Sequence, residues 1–297
     1  MNDTILLIIS MAACLSGALF KKVLTDKYES GKVVNHIYNA IVSFIAAICL
    51  LIVSNINGVS VFTILLALAF GLVTALQSIT FLQALEHGPL SYTSVIMTLS
   101  TIIPALSGAI FWQEVIVPVQ IVGIVLMMAC FVLSVDTSGE KKKANTKWLI
   151  YCAIAFLCTG AIGLMQKVHQ TSEYKMELDA FLVIAFVFSF IYSGVNWFIL
   201  SRNKKNTENK SGKPSILTLI PVILMVISGI CVAANNNLNL YLSGVIDSAV
   251  FFPIVNGGHL VLTTVTAVIF FKEKLSVKQW IGIFLGIVSV VLLCNPF

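Results

Sequence analysis

Charge is what this sequence has least of. Only 10% of its 297 residues are Asp, Glu, Lys or Arg, while 58% are apolar; soluble proteins are nearer about a quarter charged. A water-soluble fold of this length cannot hide so much apolar surface, and the exposed remainder would aggregate. Catalytic signatures are missing as well. There is no H-E-x-x-H, no G-x-x-x-x-G-K-[ST] and no Asp-rich metal motif, which removes the usual zinc-hydrolase, nucleotide-driven and metal-assisted chemistries. The 13 acidic residues lie between apolar runs or at their ends, so no paired carboxylates are set for acid–base work in a cavity. Enzyme activity is therefore not expected, and no metal or cofactor is implied. The seven cysteines (Cys14, Cys49, Cys130, Cys152, Cys158, Cys231, Cys294) are odd in number and show no C-x-x-C spacing. All fall within or at the ends of apolar runs, as small core residues do, rather than as a disulfide framework or metal site. No Lys or Arg precedes the first apolar run, so it lacks the basic start of a signal peptide and reads as a membrane span.

Long apolar runs are what remains. Crossing a hydrocarbon core of about 30 Å takes roughly 20 apolar residues. Ten runs qualify, near 4–20, 34–54, 60–85, 89–111, 117–135, 147–166, 179–200, 216–242, 248–271 and 276–294, none with a charge in its interior. Sixteen of the 18 Lys and Arg fall in the loops 21–33, 136–147, 201–214 and 271–278, and only Lys167 and Lys175 fall on the other side. The positive-inside rule places those four loops in the cytoplasm and both termini outside. The expected location is the plasma membrane of a bacterium, with the lipid bilayer and a small-molecule substrate as partners. The formal net charge of +5 is explained by the basic loops, and no nucleic acid is needed to account for it.

The chain also repeats itself. Glu114-x5-Gln120-x2-Gly123 recurs as Glu273-x5-Gln279-x2-Gly282; each copy follows an aromatic pair, Phe111-Trp112 or Phe270-Phe271, and precedes an apolar run. A weaker match sets Gly17, Lys21, Thr25 and Tyr28 in register with Gly163, Lys167, Thr171 and Tyr174. The reading is a first five-helix repeat over 1–135, a basic linker over 136–146 and a second repeat over 147–297. Five spans per repeat is an odd number, so the second copy inserts upside down. Inverted repeats are a transporter device, because two halves related by a pseudo-two-fold axis can exchange conformations and open a central site to each side in turn. The expected fold is an all-α membrane protein of about ten transmembrane helices arranged as two inverted five-helix repeats.

On these residues the sequence resembles the EamA-type branch of the drug/metabolite transporter superfamily. The resemblance is carried by Phe271-Lys272-Glu273-Lys274-Leu275-Ser276-x2-Gln279-x2-Gly282 between the ninth and tenth spans, and by Gln113-Glu114-x5-Gln120-x2-Gly123 between the fourth and fifth. It implies a basket-shaped helical fold that exports or exchanges small metabolites. It further implies a central cavity lined by helices one to four and six to nine, the fifth and tenth being peripheral. Two features depart from the pattern. Members usually keep both termini in the cytoplasm, where the charge count here argues the reverse. The small multidrug branch carries a carboxylate in its first helix, whereas Thr4–Phe20 has none.

Polar groups in a bilayer interior are costly unless paired or facing water, so they point to a pathway. The densest cluster is Asn235-Asn236-Asn237-Leu238-Asn239 in the eighth span. Asn235 and Asn239 share a helix face, Asn236 lies beside them, and Asn237 turns partly away. Asn235 is expected about 10 Å from the outer end of its span, at roughly 1.5 Å per residue. Substrate contact is the expectation for Asn235, Asn236 and Asn239, with Gln77, Ser78 and Gln83 as the matching wall in the first repeat. The ninth span carries Pro253, Asn256, Gly257, Gly258 and His259 near its middle, and Pro104 occupies the analogous place in the fourth. Proline removes a helix donor and glycine bares backbone, so Pro104, Pro253, Gly257 and Gly258 are kink or gating candidates, with Asn256 and His259 facing substrate. His259 suits either a proton relay or a neutral hydrogen-bonded core position. Further candidates are His36, Tyr38 and Asn39 in the second span and Tyr192, Asn196 and Trp197 in the seventh; Trp148, Trp197 and Trp280 also fit interfacial anchoring. Glu114 and Glu273 fit a cap or an ion pair with a nearby Lys. Gly282-x3-Gly286 permits close helix contact, as a homodimer face or within one chain.

Function follows by elimination. A receptor or scaffold has no need of two equivalent halves, and no ring of carbonyls or acids suggests a channel filter. Secondary or facilitated transport remains. An Asn, Gln and His lining without fixed charge favours a neutral or zwitterionic polar solute such as an amino acid, sugar or nucleoside. The alternatives are a multidrug or cation exporter of the same fold and, more remotely, an enzyme or flippase acting on a lipid-linked substrate. The orientation has a direct check: a tag at Asn206 is expected to be reachable only from the cytoplasmic side, and labelling of intact cells by an impermeant reagent would reverse the assignment.

Overall fold

The computed structural model describes residues 3–28, 31–56, 58–87, 90–133, 146–202, 214–271 and 276–294. Its helices are α1 (Asp3–Lys27), α2 (Lys32–Val53), α3 (Val61–His87), α4 (Leu90–Leu99), α5 (Ile102–Phe111), α6 (Pro118–Leu133), α7 (Thr146–Thr171), α8 (Leu178–Arg202), α9 (Leu219–Val245), α10 (Ser248–Phe271) and α11 (Val277–Cys294), with a 3-10 turn at Lys175–Glu177. No strand occurs among the described residues. That is what lipid demands: each N–H and C=O must be satisfied inside its own segment, and a helix does so locally. Every apolar run has become a helix, with one division. The fourth run is two helices, α4 and α5, parted at Ser100–Thr101. Pro104 explains the break, since its ring is set against the carbonyl four residues earlier, that of Ser100. Pro253 sits inside α10, which continues past it to Phe271.

Among the described residues, five helices are long and apolar enough to cross a bilayer: Val33–Val53, Val61–Phe81, Thr146–Thr171, Lys175–Arg202 and Leu219–Val245. Shorter apolar helices run over Asp3–Gly17, Ile96–Phe111, Pro118–Leu133, Ser248–Leu262 and Val277–Leu293. Burial is inverted relative to a protein in water. Ile8, Ile52, Leu65, Val125, Leu157, Phe198 and Ile220 point outward, while Ser10, Ser43, Thr63, Ser189, Ser228 and Ser289 are buried. The chain is an all-α membrane protein.

Two compact units make up the chain: Met1–Ile79 with His169–Tyr241, and Thr80–Val168 with Leu242–Phe297. In the first unit α2 lies along α8; in the second α6 lies along α11, and α5 packs on α10. These partners are counterparts in the sequence repeat, the second span with the seventh, the fifth with the tenth and the fourth with the ninth. Each unit thus takes helices from both 1–135 and 147–297.

The first unit closes on Leu24, Val42, Ile216 and Met225. There the α3 backbone approaches α8 so nearly that a Cβ on Gly71 would stand 2.5 Å from the Ala185 carbonyl oxygen. The second unit closes on Ile124, Ala249, Ile254 and Leu293 and on Met127, Cys130 and Phe131. It also explains the repeated motif. Gln120 Oε1 accepts the Val117 N–H at 3.1 Å, and Gln279 Oε1 accepts the Ser276 N–H at 2.8 Å. Both glutamines therefore cap their own helix by reaching back three residues, as in a capping box. The motif glycine lets α6 and α11 meet: a Cβ on Gly123 would lie 2.9 Å from Leu293 Cγ, and Ser289 Oγ donates to the Gly123 carbonyl at 2.6 Å. Gly282 and Gly286 are buried, and a Cβ on Gly286 would press on Cys130 Sγ and Val261 Cγ2 at 2.9 Å. Of the two uses open to this glycine pair, packing within the chain is seen at Gly286.

Two glycine substitutions separate these effects. Gly71→Ala meets backbone and is expected to destabilise by about 1–3 kcal/mol. Gly194→Ala meets nothing within 4 Å and is expected to stabilise by about 0.5–1 kcal/mol through helix propensity. Thermal unfolding of the detergent-solubilised protein measures both, and equal shifts would contradict the packing of α3 on α8.

Candidate functional site

A cavity of about 380 Å³ lies inside the first unit. Helix periodicity builds its wall. On α2, Asn39 and Ser43 stand one turn apart on a common face, beside Tyr38; on α3, Thr74 stands with Gln77 and Ser78; on α9, Ser228, Cys231 and Asn235 recur at spacings of three and four. Cys14 and Gly17 of α1 and Ser189 of α8 complete the polar and small part of the lining. Among the described residues no Asp, Glu, Lys, Arg or His is in the wall. What remains is amide, hydroxyl and thiol between apolar side chains, a surface that hydrogen-bonds without carrying charge.

The asparagine cluster divides its labour. Ser10 of α1 reaches both Asn235 Oδ1, at 3.1 Å, and Asn239 Oδ1, at 2.5 Å, and Asn239 Nδ2 stands 3.4 Å from Asn235 Oδ1. Asn235 therefore belongs to the cavity wall and to a polar tie between α1 and α9. Asn236 turns away from both, its Nδ2 donating to the Val232 carbonyl at 2.9 Å. The helix runs on to Val245, so Asn235 lies roughly 15 Å from the helix end.

The remaining candidates scatter. Tyr38, Asn39 and Gln77 line the cavity. Asn196 does not, its Nδ2 being held by the Tyr192 carbonyl at 2.8 Å. Gln83, Pro104, Pro253, Asn256, Gly257, Gly258 and His259 belong to the second unit. There Asn256 Nδ2 donates to the Phe252 carbonyl at 3.0 Å, and Gly257 receives the Met127 side chain. Sequence reasoning missed Ser10, Ser43, Ser189 and Ser228. The signal was available, since each shares a helix face or a bond with a named asparagine or with another serine of the wall.

Lys167 corrects the sequence reading most sharply. It was assigned to an external loop, yet it sits inside α7, and its ammonium meets Glu114 Oε1 at 2.6 Å with the two side chains 6% and 10% exposed. Glu114 also takes the Ser248 N–H on Oε2 at 2.7 Å, which caps α10 and sets a carboxylate at the positive end of its dipole. Lys167 Nζ further donates to the Ile246 carbonyl at 3.4 Å. The expected roles of Glu114, cap and ion pair, are both filled at once. The repeat counterpart Glu273 lies outside the described residues, as do most of the basic loops at 136–145, 203–213 and 272–275. In the first unit Glu177 does similar work: its Oε2 accepts from Ser60 N at 2.9 Å and Ser60 Oγ at 2.8 Å at the start of α3.

Comparison with known proteins adds to this geometry. The EamA-like transporter family matches residues 146–295. No curated protein matches the sequence. Among solved structures 28 chains match. One of them, described only as the crystal structure of a protein, is 13% identical and superposes with a TM-score of 0.77 over 98% of this chain and 96% of its own length. At that identity the likeness establishes the fold and nothing about cargo.

The buried ion pair yields a prediction whose direction depends on which partner is removed. Glu114→Ala leaves a buried ammonium unpaired and is expected to destabilise by about 3–5 kcal/mol, whereas replacing both partners together (Glu114→Leu with Lys167→Met) should cost far less. Thermal unfolding of the single and double variants measures the difference; additive losses would deny the pair.

Proposed function

The chain belongs to the EamA-like transporter family, within the drug/metabolite transporter superfamily, and from that premise we infer that it moves a small polar metabolite, neutral or zwitterionic, by secondary or facilitated transport. The observation that carries the cargo class is the cavity wall, where amides and hydroxyls stand among apolar side chains and no charged side chain occurs among the described residues. A lone ion taken out of water needs a buried partner of opposite sign, and this wall supplies none. An amino acid, sugar or nucleoside brings hydroxyls, amides or an internally balanced pair of charges, which amides and hydroxyls can match. The volume of about 380 Å³ falls at the small end of the range typical of small-molecule sites, roughly 300–1,000 Å³.

The transport cycle on this reading is alternating access, with the two inverted repeats exchanging conformations about the site. Ser10, Asn235 and Asn239 are suited to take part. Their hydrogen bonds tie α1 to α9 beside the cavity, and a neutral bond of this kind is worth only about 0.5–1.5 kcal/mol net, so it can be exchanged as cargo enters. The sequence has no nucleotide-binding motif to drive the cycle, which leaves solute or ion gradients as the driving force.

Uptake into proteoliposomes tests the reading. A panel of amino acids, sugars and nucleosides is expected to include a transported solute. Asn235→Ala and Gln77→Ala should each reduce its uptake by about tenfold, the effect of one lost hydrogen bond in a buried site. Asn196→Ala should retain uptake, because that amide is held by its own helix. Transport confined to organic cations would sink the cargo class, and full activity in both cavity variants would sink the site.

A further inference from the structure

One amide nitrogen in the cavity wall is buried with no partner among the described residues, unlike those of three other asparagines of the spans. Asn196, Asn236 and Asn256 each turn the side-chain nitrogen back onto the carbonyl four residues earlier, at 2.8–3.0 Å. That bond is local and always within reach, and it is how an isolated amide is satisfied inside lipid. Asn39 has the same opportunity at the carbonyl of Asn35 and does not take it. Its Nδ2 is buried without a hydrogen-bond partner among the described residues, and the residue lines the cavity. Two of its neighbours on the wall are engaged: Ser43 Oγ shares a hydrogen bond with Ser189 Oγ at 3.1 Å, and Asn235 Oδ1 faces Ser10. A buried donor left unpaired is unfavourable, and one that forgoes an available local acceptor is shaped for a different acceptor.

We propose that Asn39 is the specificity-determining residue of this cavity, donating its amide N–H to a carbonyl, hydroxyl or carboxylate oxygen of the solute. The inference rests on the transport reading above and sharpens it. An N–H at the wall of a pocket with no charged lining residue among those described presents the positive end of a dipole. It favours solutes with an exposed oxygen acceptor, including the carboxylate end of a zwitterion, and disfavours an ammonium group at the same place. A site built around one hydrogen bond discriminates strongly against solutes that cannot complete it, because the protein group is then left buried and unpaired. Exchanging the donor for an acceptor should reverse the preference.

Cys14 and Cys231 also line the cavity, which allows occupancy to be read without measuring transport. In a full-length chain keeping only these two cysteines, the rate of labelling by N-ethylmaleimide is followed in the presence of the proteinogenic amino acids, hexoses and nucleosides, and separately of putrescine and tetramethylammonium. With Asn39 intact, one or more acceptor-bearing solutes should slow labelling and the two cations should not. Asn39→Leu should raise the concentration for half-protection by about tenfold. Asn39→Asp, which keeps the side-chain volume, should lose protection by the same solute and gain protection by putrescine. Half-protection within twofold of the parent in both variants overturns the role of Asn39 while leaving the cavity a solute site. Protection by the cations alone in the parent, or by no solute at all, overturns the cargo reading and this inference with it.

Discussion

Lipid offers no hydrogen bonds, and most of this structure can be derived from that one constraint. It makes every span a helix. It turns stray amides back onto their own helix, as at Asn196 and Asn256. It buries the hydroxyls of Ser43, Ser189 and Ser289 against one another or against backbone. It gives the only ion pair among the described residues, Lys167 with Glu114, a backbone N–H and a carbonyl as additional partners. Against that background five buried side-chain atoms are without a hydrogen-bond partner among the described residues, and the Asn39 nitrogen is the one amide among them.

How much of this was legible in the sequence depended on the range of the interaction. Apolar runs are local, and all ten appear as helices, most within a few residues of their expected limits, with α1 running on to Lys27. The interruption of the fourth span was legible from Pro104, whose steric effect reaches back one turn, whereas Pro253 left α10 unbroken. Polar partners separated by fifty residues or more were not legible. Nothing near Ser10 announces Asn235, 225 positions away, and Lys167 looks like a loop residue until Glu114 is brought beside it. The asparagine cluster was found by density, but density could not tell Asn235, in the wall, from Asn236, which is satisfied by Val232.

The repeated motif shows what duplication preserved. Its glutamines cap two different helices in the same way, and its glycine in the first copy brings α6 against α11. Counterpart helices pair in both units, second with seventh, fourth with ninth and fifth with tenth. What the two halves share is scaffold. The polar wall is not shared in kind: the first half contributes an isolated Asn, a Gln and hydroxyls, and the second a ladder of Ser, Cys and Asn on a single helix face. The polar side chains of the wall therefore do not follow the repeat that pairs the helices.

Ser10 has one hydroxyl hydrogen and two carbonyl oxygens within reach, those of Asn235 and Asn239. It cannot fully satisfy both, and the shorter distance gives Asn239 the larger share. A single hydroxyl thus holds two successive turns of α9 to α1, and rotation about one side-chain torsion is enough to pass its hydrogen from one carbonyl oxygen to the other.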